Sequence, residues 1–132
     1  MQFLERHSGL ALSALRIMAA LLLIEHGTMK LLHFPAAIPG MPDQLPPLML
    51  IAALLELVGG TLLVLGLLTR PVAFILSGEM AAAYFMVHAQ QGFFPALNMG
   101  DAAVLFCFIF FYIACAGPGS LSLDAMRQRA SN

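Results

Sequence analysis

The chain has 132 residues, 61% of them hydrophobic and 10% charged, with a net charge of −1 and a mean hydropathy of +0.90. Soluble domains carry about 25% charged residues, so this composition excludes an ordinary soluble domain and selects the membrane class; the length allows one domain, residues 1–132. The near-neutral charge, without a basic run or zinc-ligand spacing, excludes nucleic acid as a partner.

The first apolar stretch covers residues 10–32, enough for the roughly 20 residues that cross a ~30 Å hydrocarbon core. It contains Arg16 and Glu25, which a cleavable signal peptide would not, so it is read as a retained helix. Residues 34–47 follow, with Pro35, Pro39, Pro42, Pro46 and Pro47. Proline removes backbone donors, so this segment is a loop at the outer surface or in the mouth of the bundle.

The second stretch is 48–68, and Arg70 lies in the tight turn after it. The third covers 71–88 and the fourth about 100–116, its apolar run starting at Ala102. Both are a little short and are expected to extend into the connection 89–100. Within that connection the pair Phe93–Phe94 is expected at the membrane interface or as a cap on the bundle. Cys107 and Cys115 are too far apart along one helix to bond with each other and read as packing groups. The tail 124–132 is too short for a domain and is expected to fray or lie on the surface.

The expected fold is therefore all-α, an integral membrane four-helix bundle. Arg6, Arg70, Arg127 and Arg129 all fall on one side of it, and the two connections on the other side contain no Lys or Arg. The positive-inside rule then sets both termini in the cytoplasm, in a multi-pass protein of the bacterial inner membrane.

Charges inside such stretches carry the functional signal. A charge at membrane depth costs on the order of 3 kcal/mol, so those retained are paired, face a polar interior or form a site. In the second stretch Ala52, Glu56, Gly59, Leu63 and Gly66 share one stripe at the helical step, which aims Glu56 into the bundle. In the third, Ile75, Glu79, Ala82, Ala83 and Met86 form a comparable stripe. In the first, Arg16, His26, Gly27 and Lys30 share a broad face, while Glu25 points nearly opposite unless the helix unwinds at His26–Gly27. Arg16 and Glu79 lie about 9 and 12 Å in from the cytoplasmic ends of their helices, and this matched depth suggests a structural ion pair. Lys30 reads either as a snorkelling interface residue or as part of a site, and His88 as the end of the third helix.

Glu25, His26, Lys30, Glu56 and Asp101 line the outer half and are the candidate ligand-binding residues. Carboxylates beside a lysine and a histidine suit proton uptake or hydrogen bonds to a quinone-like ligand. Haem is less well supported, since nothing sets His26 against His88. No metal site is expected, because the E-x-x-H spacing of bundle di-metal sites is absent.

An ordered set of motifs resembles the DoxX family of small bacterial membrane proteins. It comprises Gly27-Thr28-Met29-Lys30, then Glu56-Leu57-Val58-Gly59-Gly60 running through Gly66 to Thr69-Arg70, with Met80 and Ala83 in the third stretch. Gly92-Phe93-Phe94 and, after the fourth stretch, Gly117-Pro118-Gly119-Ser120 with Leu121-Ser122-Leu123-Asp124 complete it. The resemblance implies a four-helix inner-membrane protein linked to quinol oxidation or to membrane redox assemblies with soluble partners. Lys30 and Glu56 are the charged residues that match the family pattern. Asp101 stands where an acid, more often Glu, is usual, and Glu25 and Arg16 belong to no family motif.

Two functions follow as expectations. One is a redox-associated subunit that binds quinone or quinol in a polar intramembrane pocket, catalytic residues unassigned, with no electron carrier of its own and a membrane redox partner. The other is non-enzymatic: a small-solute carrier, or a scaffold that assembles with another membrane protein or with itself.

Overall fold

The computed structural model describes residues 1–42 and 44–131, so Asp43 of the predicted 34–47 loop and Asn132 of the tail lie outside the described residues. Those residues form helices and no strand. A short α1 (Gln2–Arg6) leads into α2 (Ser8–Leu32), followed by α3 (Pro47–Leu65) and α4 (Thr69–Ala83). The one-turn α5 (Pro95–Asn98), α6 (Asp101–Ala116) and α7 (Leu123–Ala130) complete the chain.

Three helical stretches are long and apolar enough to cross a bilayer: Ser8–Leu32, Pro47–Leu65 and Thr69–Gln91. The last of these is α4 continued through a π-helical turn, Tyr84–His88, and a 3₁₀ turn, Ala89–Gln91. The third stretch thus extends into the connection, as expected. The fourth does not: α6 has 16 residues, about 24 Å of helix, and Gly100 and the separate turn α5 precede it. Two left-handed residues or caps, Met99 at φ 58 and Gly92 at φ 146, break the path between them.

α2 packs along α3, and α4 along α6, with α3 against α4 closing the bundle. Its exterior is apolar, with Leu21, Ile51, Val58, Phe74, Phe85, Leu105 and Phe108 exposed. Its interior contains Ser13, Arg16, Glu56, Thr69, Ser77 and Asn98 among Leu23, Leu63, Leu76, Phe110 and Ile113. Contiguous apolar surface on this scale is unstable in water and natural in lipid. The described fold is that of a helical membrane protein.

One end of the bundle gathers the chain ends and the α3–α4 turn; we call it the base, and the opposite end the rim. At the base, Ser120 N–H donates to Gly9 O at 3.1 Å and Asp124 N–H to Gly66 O at 2.9 Å. Three charged side chains satisfy helix ends from far away in the chain. Arg16, fully buried, donates through Nη1 to Leu63 O and, at 2.9 Å, to Val64 O in the last turn of α3. Its Nε reaches Pro118 O at 2.8 Å and its Nη2 reaches Leu121 O at 2.5 Å. Arg70 Nη1 donates to Ala114 O at 2.9 Å and Cys115 O at 2.5 Å, at the end of α6. The Asp124 carboxylate accepts Leu68 N–H at 3.0 Å and Thr69 N–H at 2.8 Å, at the start of α4. Each sign matches the helix end it meets, cations at C-termini and the anion at an N-terminus.

Gly119 lets the segment lie this close. It sits at φ +78, and a Cβ there would fall 2.3 Å from Ser13 Oγ and 2.7 Å from Ser13 N. Ser13 Oγ in turn accepts Leu121 N–H at 3.0 Å. The tail therefore does not fray through Ala130: Ser122 Oγ accepts Ala125 N–H at 3.1 Å and starts α7. Cys107 is half-buried beside Ser77, whereas Cys115 is exposed and is not a packing group.

Burial opposes ionisation of Asp124, but the N–H bonds from Thr69 and Leu68, with Arg127 nearby, outweigh it and hold the acid below its ordinary range. Its stabilising contribution is thus present above the unfolded value of about 3.9 and is lost as pH falls through the lower folded value. Asp124→Ala is expected to lower unfolding free energy by about 1 kcal/mol, the usual cost of a lost cap. In mixed-micelle unfolding titrations the gap to wild type should hold above about pH 5 and shrink steadily as pH falls below about 3.9. A gap that stays constant down to the lowest pH would show that the ionised form is not what caps α4.

Candidate functional site

Glu56 lies in α3 on a face of small residues, with Ala53, Gly59 and Gly60 buried around it. The stripe predicted for this helix is the observed packing face, with Ala53 rather than Ala52 at its outer end. α2 reaches it at Gly27, where a Cβ would lie 3.1 Å from Ala53 O and Leu57 N and 3.3 Å from Glu56 Cβ. Backbone therefore meets backbone at the point where the Glu56 side chain leaves α3.

Lys30 is three residues further along the same face of α2, in its last turn. Its Nζ donates to Glu56 Oε1 at 2.5 Å, with the lysine side chain 17% exposed and the glutamate 3%. Lys30 is thus ion-paired inside the bundle with Glu56. Position at a helix C-terminus also favours the ammonium there.

The second acid of the site is Glu79, on α4, within Coulomb range of both Glu56 and Lys30. Both Glu79 carboxyl oxygens and Glu56 Oε2 are buried with no hydrogen-bond partner among the described residues. Two carboxyl groups and one ammonium leave three carboxyl oxygens without partners among the described residues. Each buried unsatisfied acceptor costs about 1–3 kcal/mol, more if charged. Such a cluster is complete only with protons, water or a ligand that donates. Its neighbours Ile75, Gly78 and Ala82 on α4, and Met86 in the π-helical turn that continues it, are exposed, so the cluster lies just beneath the apolar outer surface.

The structure separates other residues that sequence reading had joined. Arg16 and Glu79 are not an ion pair: the guanidinium is spent on four carbonyls at the base, and Glu79 faces the Lys30–Glu56 pair. The two groups differ in depth: Arg16 meets α3 in its last turn at Leu63 and Val64, about 10 Å along the helix from Glu56, in whose Coulomb range Glu79 lies. Glu25 is exposed, because α2 runs unbroken from Ser8 to Leu32 and no unwinding turns it inward. Asp101 is exposed as the first residue of α6, a favourable place for an acid but apart from the cluster. His26 is at the margin. Its Nδ1 bonds Leu22 O at 2.8 Å and its ring meets Phe106 edge-on at 6.0 Å, yet it remains within Coulomb range of Glu56.

The inward stripe predicted for the third stretch is also rotated. The buried face of α4 is Ala73, Leu76, Ser77 and Met80, with Glu79 at its edge.

A polar network at the rim was not foreseen. Tyr84 Oη donates to Phe93 O at 2.6 Å, and buried Asn98 donates through Nδ2 to Gly92 O at 2.7 Å and accepts Gly100 N–H at 2.8 Å. His88 Nδ1 meets Asn98 O at 3.0 Å, so His88 pins the loop rather than ending the helix. Phe93 and Phe94 are exposed and do not cap the bundle. The signal available in the sequence was Tyr84, His88 and Asn98 flanking Gly92 between two apolar stretches.

A family model described as DoxX matches residues 11–89, which contain Lys30, Glu56 and Glu79. An uncharacterized protein of Haemophilus influenzae is 44% identical over 128 residues, covering 94% of this chain and 96% of that protein. No solved structure matches. With a family match over more than half its length and a relative aligned nearly end to end, this chain belongs to the DoxX family.

Proposed function

We propose that this chain is a multi-pass inner-membrane protein, both termini in the cytoplasm, that binds a quinol in the pocket of Lys30, Glu56 and Glu79 as a redox-associated subunit. The observation that carries this reading is the set of three buried carboxyl oxygens without donors. A quinone offers only acceptors, whereas a quinol offers two hydroxyl donors, so the unpaired oxygens suit the reduced form. The exposed apolar residues beside Glu79 support entry from the lipid phase.

Glu56 and Glu79 accept the ligand's hydroxyl hydrogens, and Lys30 holds Glu56 in place and offsets its charge. Oxidation of a bound quinol releases two protons and two electrons. The two carboxylates are placed to receive the protons, and the electrons pass to a separate redox partner. His26, at the margin and within Coulomb range of Glu56, would relay a proton outward.

The test is equilibrium binding of a short-tailed quinol to purified protein in lipid nanodiscs. Replacing Glu56 by Gln removes the carboxylate that Lys30 holds in place while keeping its shape, and affinity is expected to fall about tenfold or more. Equal affinity in wild type and Glu56→Gln would remove this reading.

A further inference from the structure

At the base, away from the Lys30–Glu56–Glu79 pocket, lies an open cleft of about 310 Å³ between the start of α4 and α7. Its lining includes Leu68, Arg70, Asp124, Arg127 and Gln128. Arg70 is held in a fixed orientation, because its Nη1 is bonded to the carbonyls of Ala114 and Cys115. That leaves the Nε–Nη2 edge of the guanidinium without a partner among the described residues. Gly117, at φ +99, keeps this edge bare: a Cβ there would lie 3.1 Å from Nη2 and 3.7 Å from Nε. The whole guanidinium of Arg127 likewise makes no hydrogen bond among the described residues.

Asp124 offsets one of these two charges but takes no guanidinium hydrogen bond. Both Asp124 oxygens already accept N–H groups of Leu68 and Thr69, and the start of α4 adds positive potential. The cleft therefore presents two guanidinium edges, one of them rigidly aimed, which is the donor geometry that recognises phosphate. Directly above it the surface is apolar. Phe74, one turn from Arg70 on α4, and Phe111, one turn from Cys115 on α6, are both exposed.

We infer that this cleft binds the phosphate of an anionic phospholipid headgroup, with its acyl chains lying along the apolar surface at Phe74 and Phe111. Free phosphate would use the same donors but would gain nothing from the apolar surface.

The experiment is native mass spectrometry of the full chain released from nanodiscs of equimolar phosphatidylglycerol and phosphatidylcholine with matched acyl chains. Wild type should retain phosphatidylglycerol preferentially, and Arg127→Gln should reduce that preference about fivefold. Arg127 makes no structural hydrogen bond, so this variant should fold. Arg129→Gln removes the same charge outside the cleft lining and should leave the preference intact. No preference in wild type, or equal losses in the two variants, would overturn the site. A second arm adds inorganic phosphate at millimolar concentration. Displacement of the retained lipid by phosphate would show a soluble-anion site and overturn the lipid assignment; retention supports it.

Discussion

Lys30→Met is expected to destabilise the protein by about 3–5 kcal/mol, far more than the loss of a surface lysine. The reason is Glu56, 2% exposed, which accepts its one hydrogen bond from Lys30. Without the ammonium, a buried carboxylate is left with no cation and no donor on either oxygen, and it must take up a proton or open the α2–α3 contact. The double variant Lys30→Met/Glu56→Gln removes the stranded charge and should recover a substantial part of the loss. A coupling free energy of about 2 kcal/mol or more in SDS unfolding titrations would be the signature. Additive effects would mean that the two side chains do not depend on each other.

Arg16→Leu is expected to cost about 4 kcal/mol or more, or to prevent accumulation of the folded protein. Four carbonyls, those of Leu63, Val64, Pro118 and Leu121, lose a charged donor at once. Each orphaned acceptor costs about 1–3 kcal/mol, and water entering at the base offsets part of the sum. Lysine at this position should rescue only partly, since one ammonium cannot span the fork that the guanidinium fills. The same measurement tests the corrected role of Arg16. Arg16→Lys combined with Glu79→Gln should be additive within about 0.5 kcal/mol, because the two groups share no partner. Coupling well above that would restore the ion pair.

These two arginine and lysine sites differ in how far they could be read from the sequence. Lys30 and Glu56 were legible because both are side chains on small-residue faces, and Gly27, Gly59 and Gly60 mark where helices approach closely. Arg16 was visible as buried but not in its role, since its acceptors are backbone carbonyls and these carry no sequence signature. The same holds for Arg70 on α6 and Asp124 on α4. The Gly117–Asp124 motif could be recognised, yet only the fold shows that it locks the base.

The length and order of the apolar stretches followed directly from hydropathy, and so did the all-helical class. The facing of α4 did not. In a protein with an apolar exterior, Ile75 and Met86 point outward as readily as Leu76 and Met80 point inward, so hydrophobic periodicity loses its meaning. Glu79 anchored the predicted stripe and rotated it by part of a turn. Glu25, by contrast, is exposed as its place opposite the polar face of a regular α2 implies, whereas nothing in the sequence marked Asp101 as exposed.

Lys30, Glu56 and Glu79 gather three buried carboxyl oxygens that lack a partner among the described residues. Whether these oxygens require a donor is tested most directly by the nanodisc titration when wild type is offered the same short-tailed ligand in its two oxidation states. The quinol should bind about tenfold or more tightly than the quinone, and the difference should collapse in Glu56→Gln/Glu79→Gln. Equal affinity for both forms, or a preference that survives the double substitution, would contradict the account.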